Sequence, residues 1–433
     1  MKIYSKVKKN LKNIKVFKFG GASVKDADSV KNAAHILSLY SDDKIVAVIS
    51  AMGKTTNALE KLLGAYCYSS GDIDEEFSKI KEYHINITKE LFADSNHEIY
   101  SELENIFSFL KAKLLLPNSD NYDYEYDQIV SIGEIISSKI LSAYLNSVSI
   151  NNSWIDARLI IRTDNIYRDA GIDWDKTIEL VKDSMQFNQE RIYVTQGFIG
   201  STAEHITTTL GREGSDFSAA ILAYSLDAGE VVIWKDVPGV LNADPKYFDN
   251  TVKLDQLSYY DAIELAYYGA SVIHPKTIKP LQNKKIPLYV KPFTNPKEEG
   301  TVIRSDKTDL KTPSFIFKMN QILITVSSRD FSFIAEQNIG DIFYKLSNLN
   351  IRINVMQNSA LSFSISVDWN EKKILQLIKL LETDYIVKYN TDLELVTIRN
   401  YDDETIERVT KNKEILLEEK SRHTIQILMR NIS

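Results

Sequence analysis

Apolar residues recur along the chain in two rhythms. Lys15-Val16-Phe17-Lys18-Phe19 alternates like a half-buried strand, and from Asp26 to Tyr40 the apolar positions Val30, Ala33, Ala34 and Leu37 take the spacing of a helix face. Ile45-Val46-Ala47-Val48-Ile49 is an unbroken apolar run, the pattern of a parallel strand covered on both faces, with a helix around Leu59 to Leu63 after it. Strand-like runs return at Ser153 to Ala157, Arg191 to Thr195, Glu230 to Trp234 and Pro287 to Val290, separated by helical stretches that include Ser258 to Tyr268. Residues 67–145 read as a helical insertion rich in Glu, Lys and Asn, with an aromatic, acidic loop from Asn118 to Asp127. This alternation predicts an α/β fold with a mainly parallel, doubly wound sheet over residues 1–300.

The rhythm then changes. Thr294 to Ser314 is dense in Pro, Lys, Glu, Asp and Thr, and a linker is expected at 301–316. Beyond it come a strand at Asn320 to Ser327, a helix at Ile334 to Leu349, strands at Ile351 to Gln357 and Leu361 to Val367, a helix at Glu371 to Leu381 and a strand at Tyr385 to Tyr389. That order is βαββαβ, the ferredoxin-like unit, over 317–390. A shortened second unit over 391–433 has strands at Leu393 to Arg399, Glu414 to Glu419 and Thr424 to Met429, and a helix near Glu404 to Val409.

Composition narrows the function classes. Lys+Arg 52 against Asp+Glu 59 gives a net charge of -7, which argues against a nucleic-acid footprint. Cys67 is the one cysteine, so neither a disulfide framework nor a cysteine zinc site is available, in keeping with a reducing cytoplasm. The histidines are scattered and form no HExxH pair. Met1 to Lys15 is basic but too interrupted for a signal peptide and reads as a solvated leader; no run approaches the length of a membrane span.

Candidate chemistry gathers where strands hand over to helices. Lys18 stands on a strand that ends in Gly20-Gly21-Ala22-Ser23-Val24, a glycine turn able to cradle phosphate, with a cation in reach of transferring oxygens. The spacing is neither the dinucleotide fingerprint nor a Walker A loop. Ser50-Ala51-Met52-Gly53-Lys54-Thr55-Thr56-Asn57 repeats the small, hydroxyl-rich character after the next strand. Thr207 to Phe217, running into an apolar helix, combines two glycines, three threonines, Arg212 and Asp216: an arginine fork for a carboxylate and a helix end suited to anions. Glu134 sits in the apolar run Ile129 to Ile136 beside Gly133 and needs a partner, either a ligand ammonium or a nearby Lys or Arg. Lys235 to Lys246 and Gly269 to Thr277 are further polar loops that suit a nucleotide or are simply charged turns.

Taken in order, Lys18 to Val24, Thr207 to Asp216, Trp234 to Lys246 and Gly269 to Thr277 resemble the aspartate kinases of the amino-acid kinase family, whose members also carry a C-terminal pair of ACT regulatory modules. The resemblance implies a three-layer αβα sandwich and transfer of a phosphoryl group from ATP, with Mg2+ on its phosphates, to the β-carboxylate of L-aspartate. Lys18 matches the lysine that neutralises the transferring group, Gly20, Gly21 and Ala22 the turn around it, and Asp216 the active-site aspartate. Arg212 looks like the grip on the substrate α-carboxylate, Glu134 like the partner of its ammonium, and Ser50, Thr56, Phe198 and Ser215 like further pocket contacts. Lys235, Asp236, Leu241, Lys246, Ser271 and Val272 fall where the family holds its nucleotide; no protein side chain is implied as a metal ligand. A cytoplasmic homodimer joined through the ACT region, with lysine or threonine as effector, is implied as well, although Asn354 stands where lysine-sensitive relatives tend to have an acid. The competing expectations are a kinase of the same fold acting on glutamate derivatives, and a non-catalytic amino-acid sensor.

Overall fold

The computed structural model describes residues 14–270, 273–306, 312–330 and 332–432. Most of the basic leader, together with Ser271 and Val272, lies outside the described residues. The chain divides into two compact units, one formed by Met1–Val240, Lys253–Ile263 and Ile273–Thr308, the other by Leu241–Val252, Glu264–Val272 and Asp309–Ser433.

The first unit contains β1 (Ile14–Phe19), β2 (Lys44–Ile49), β3 (Ser153–Ile155), β4 (Ile192–Gln196), β5 (Ile199–Ser201), β6 (Thr207–Thr209), β7 (Glu230–Lys235), β8 (Gln256–Ser258), β9 (Leu288–Pro292) and β10 (Thr301–Arg304). Eight of these form one sheet in the order β3-β4-β2-β1-β7-β9-β10-β8, while β5 and β6 make a separate ribbon. Every neighbouring pair in the large sheet is parallel except β9 and β10. From β1 the chain steps to β2 on one side, and β7 pairs on the other, so the β1/β7 boundary is where the winding direction reverses and where doubly wound sheets bind ligands. Phe17, Phe19 and Trp234 lock that boundary: all three are fully buried, with Trp234 stacked on Phe19 at 6.3 Å and edge-on to Phe17 at 5.7 Å.

Two expectations need correction in this unit. The stretch Asn118 to Asp127 is not all loop, because a helix runs from Tyr122 to Val130, started by the Asn121 side chain accepting from the Tyr124 N–H at 3.1 Å. Its buried face mixes Glu125 and Asp127, both fully buried, with Tyr126, Ile129 and Val130, so the apolar stripe is interrupted by charge. The expected linker at 301–316 contains β10, whose Thr301 is buried and receives the Val240 N–H on its hydroxyl at 2.8 Å. Among the described residues no helix is long and apolar enough to cross a membrane.

The second unit has β11 (Ser314–Ser327), β12 (Ile353–Asn358), β13 (Ser362–Asp368), β14 (Ile386–Arg399), β15 (Lys413–Lys420) and β16 (Thr424–Asn431), ordered β12-β13-β11-β14-β16-β15 in one antiparallel sheet. Helices Glu336–Asn348 and Glu371–Leu381 complete a βαββαβ module with a core of Ile322, Ile324, Phe363, Ile365 and Leu377. The two strands expected at 385–389 and 393–399 are one continuous strand, β14, and β11 likewise serves both halves of the sheet. The shortened second module is therefore filled by earlier chain. Ser314–Lys318 supplies its outer strand by pairing with 395–399, and Ala243 and Phe248 enter its core beside Phe315, Val396, Ile398 and Ile427.

Candidate active site

The carboxyl ends of β1, β2 and β7, together with the segments that follow β4 and β6, surround a cavity of about 590 Å³ in the first unit. Lys18, next to last in β1, sends its ammonium to 2.7 Å from Asp216 Oδ1, with the two side chains 11% and 5% exposed. Asp216 lies in the first turn of the helix Gly214–Ser225, which is buried nearly all round and so is fixed against the sheet. That helix begins at Glu213 in the left-handed region (φ 55) with no side-chain cap, and its first residues form part of the cavity wall. The positive end of the helix and Lys18 thus face one space, an arrangement suited to anions.

Glycines bring the walls together. A Cβ on Gly21 would stand 2.8 Å from the Ala51 carbonyl and 2.9 Å from that of Gly53, and Gly53 N–H donates to the Gly21 carbonyl at 2.9 Å, so the turns after β1 and β2 touch through backbone alone. Gly133 similarly admits the Ala51 and Thr55 side chains against the helix Ile132–Ser147, which lets Glu134 reach the cavity from a buried helix.

Glu134 is the electrostatic anomaly. Its side chain is buried; the Ala51 N–H donates to Oε1 at 3.4 Å, while Oε2 has no hydrogen-bond partner among the described residues. Burial pushes its carboxyl up to about 8, against the opposing pull of backbone hydrogen bonds and the Lys18 charge. A buried, half-satisfied carboxylate on a cavity wall is a place for a ligand cation.

Of the residues singled out in the sequence, Lys18, Gly21, Ser50, Thr56, Glu134, Phe198, Arg212, Ser215, Asp216 and Lys235 all line this cavity. Gly20 does not, although a Cβ there would come 3.3 Å from Lys18 Nζ; Ala22 and Asp236 are exposed and outside the lining. Leu241 and Lys246 belong to the second unit, where the core positions Ala243 and Phe248 hold their segment, and Ser271 and Val272 cannot be placed because they lie outside the described residues. Arg212 is exposed in the cavity wall with no ion-pair partner among the described residues.

Sequence reasoning passed over Tyr126 and Arg168, which also line the cavity, and Asp127, which braces it, and named Gly53 and Glu213 only as parts of longer stretches. Asp127 is fully buried and accepts from the Thr209 N–H at 2.8 Å, the Thr209 hydroxyl at 2.6 Å and the Arg168 N–H at 3.2 Å. Burial raises its carboxyl to about 6 even though these donors pull the other way. The carboxylates in the lining are Glu134, Glu213 and Asp216; Glu213 accepts the His274 N–H at 2.9 Å, and among the described residues no group of three side chains could cage a metal ion.

Comparison with known proteins identifies the family. The family model described as the amino acid kinase family matches residues 13–292. The chain belongs to the amino acid kinase family. Chloroplastic aspartokinase 1 of Arabidopsis thaliana is 32% identical over 89% of this chain and 68% of its own length. The lysine-sensitive aspartokinase 3 of Escherichia coli is 32% identical over 83% of this chain and 79% of its own. Among solved structures, E. coli aspartokinase III in complex with aspartate and ADP superposes with a TM-score of 0.78 at 28% identity, covering 96% of both chains, and the same enzyme with lysine and aspartate matches equally well. Within the family the chain stands among the aspartokinases, and it is an aspartate kinase.

Proposed function

We propose that the cavity binds L-aspartate and the phosphate end of ATP together and makes 4-phospho-L-aspartate, the entry step to lysine, threonine and methionine. The observation that carries the assignment of roles is the pairing, in one cavity, of the Lys18–Asp216 contact at 2.7 Å with the orphaned Glu134 Oε2. Glu134 receives the substrate ammonium, and Arg212 takes the α-carboxylate in its planar fork. Ser50, Thr56, Phe198 and Ser215 shape the remainder of the amino-acid subsite. The β-carboxylate is then directed toward Lys18. One of its oxygens attacks the γ-phosphorus as the bond to the β,γ-bridging oxygen breaks and ADP leaves. A carboxylate is already ionised at neutral pH, so no base is needed, and the protein contributes position and positive charge. Asp216 orients the Lys18 ammonium, while Gly20, Gly21 and Ala22 form the turn beside the phosphates; Lys235 and Asp236 extend the nucleotide side.

Mg2+ fits the donor set if it arrives on the nucleotide, because the lining offers Asp216 as one carboxylate beside Lys18 and, among the described residues, no cage. When bound, the ion neutralises phosphate oxygens. The second unit is assigned a regulatory role with lysine or threonine as effector, and a homodimer through the exposed edges β12 and β15 is the proposed assembly, in the cytoplasm. A kinase of N-acylated glutamate is disfavoured, since such a substrate has no ammonium for Glu134. ATP turnover measured with L-aspartate, L-glutamate and N-acetyl-L-glutamate decides between these acceptors: activity with aspartate alone is expected, and a preference for the acylated substrate would overturn the reading.

A further inference from the structure

Arg168 lines the cavity and has no part in the mechanism above. Its guanidinium lies over the ring of Tyr126, 4.4 Å from the centroid, and the Tyr126 hydroxyl in turn donates to Glu60 at 2.9 Å, so the platform beneath the arginine is fixed. Its ionic partner is Asp123 at 3.0 Å, a pair 45% and 54% exposed and therefore weak and open to exchange.

The backbone around Arg168 is built to a constraint. Arg168 takes φ 65, a left-handed conformation unusual for a side chain of this size. Both oxygens of the buried Asp127 accept its N–H at 3.2 Å, and the same carboxylate holds Thr209, three residues before Arg212. A Cβ on Gly211 would come 3.0 Å from the Arg168 carbonyl, so the segment bearing Arg168 lies directly against the one bearing Arg212. One buried carboxylate thus clips two arginine-bearing segments side by side at one wall of the cavity.

We infer that Arg168 is a second substrate-binding arginine, which leaves Asp123 to share the acceptor's α-carboxylate with Arg212 and so favours acceptors with a free carboxylate at that end. The inference rests on the assignment of aspartate as acceptor. The amino acid approaches with two carboxylates toward a site that must also admit polyanionic ATP, and Lys18 is already committed to Asp216. A second planar fork beside Arg212 supplies charge at the end away from the phosphates, and Asp123 keeps that fork in place between turnovers.

Steady-state kinetics with ATP and L-aspartate test this on wild type, Arg168→Ala, Arg168→Lys and Asp123→Asn. Arg168→Ala is expected to raise the KM for aspartate about tenfold while kcat and the KM for ATP stay within about twofold, the pattern of lost uniform binding. Arg168→Lys recovers part of that loss, because it restores charge without the fork. Asp123→Asn lowers the KM for aspartate about twofold by removing the competitor. Wild type that turns over aspartate normally beside an Arg168→Ala variant with unmoved KM overturns the inference alone. A rise in KM in Asp123→Asn matching that in Arg168→Ala also overturns it, since the pair would then be a structural brace. Absence of aspartate turnover in wild type strikes instead at the proposed function.

Discussion

Glu134→Gln separates what a residue does for the fold from what it does for the ligand. In the free protein the carboxyl is buried with one oxygen unsatisfied and titrates at about 8 instead of 4.5. A folded-state value raised above the unfolded one means that the stability linked to this group is full below the unfolded pKa and is lost as pH rises through about 8. At 1.36 kcal/mol per unit the loss amounts to about 5 kcal/mol in alkaline solution. The isosteric amide cannot ionise and escapes this loss, so Glu134→Gln should be more stable than wild type at pH 9 and close to it at pH 5. Binding should move the other way. A charge-assisted hydrogen bond to the substrate ammonium is worth about 1.5–3 kcal/mol, so the KM for aspartate should rise roughly tenfold to a hundredfold. Thermal melts across pH, with and without aspartate, read both effects. Calorimetry in buffers of different ionisation heat adds a third: at pH 7 aspartate should displace close to one proton per site, because Glu134 is mostly protonated when free and ionised when paired. A variant that binds aspartate normally, or one less stable than wild type at pH 9, would refute the reasoning.

Other substitutions probe the rest of the site. Lys18→Ala should lower kcat by about a thousandfold, the scale of losing one preorganised charge at the transferring group, with an unchanged circular dichroism spectrum and a KM for aspartate within a few-fold. Gly21→Ala should abolish turnover, since its methyl would meet two carbonyl oxygens at 2.8 and 2.9 Å and force apart the turns after β1 and β2; this is checked by activity and by loss of nucleotide-dependent thermal stabilisation. Asp127→Ala should destabilise the fold by about 2–3 kcal/mol in urea titrations, because it orphans the buried donors of Thr209 and Arg168.

What was legible in the sequence follows from how local each signal is. The strand-turn-helix order around Lys18, the Ser50 turn and the Thr207 to Asp216 stretch carry their glycines, hydroxyls and charges within a few residues, and these three converge on the cavity. Glu134 was legible as a charge out of place in an apolar run. Arg168 and Asp127 were not, because each looks like an ordinary surface charge until Thr209, distant in sequence, is brought beside them. The helix Tyr122–Val130 was hidden for the same reason: Glu125 is buried against Lys113 at 2.8 Å, so charge interrupts the apolar side formed by Tyr126, Ile129 and Val130. β10 and the start of β11 were masked by a composition that normally marks a linker, and Asn390 to Asp392, left between two expected strands, is part of β14. Leu241 and Lys246 entered only through the family resemblance, and Phe248, a few residues on, packs their segment into the core of the second unit.

The central claim is that this cavity phosphorylates the β-carboxylate of L-aspartate. Incubating the protein with ATP, Mg2+ and L-aspartate, and trapping the acyl phosphate with hydroxylamine, tests it most directly. Aspartate-dependent hydroxamate in wild type, lost in Lys18→Ala, is the predicted result; product that forms with another amino acid and not with aspartate, or that survives the loss of Lys18, would contradict it.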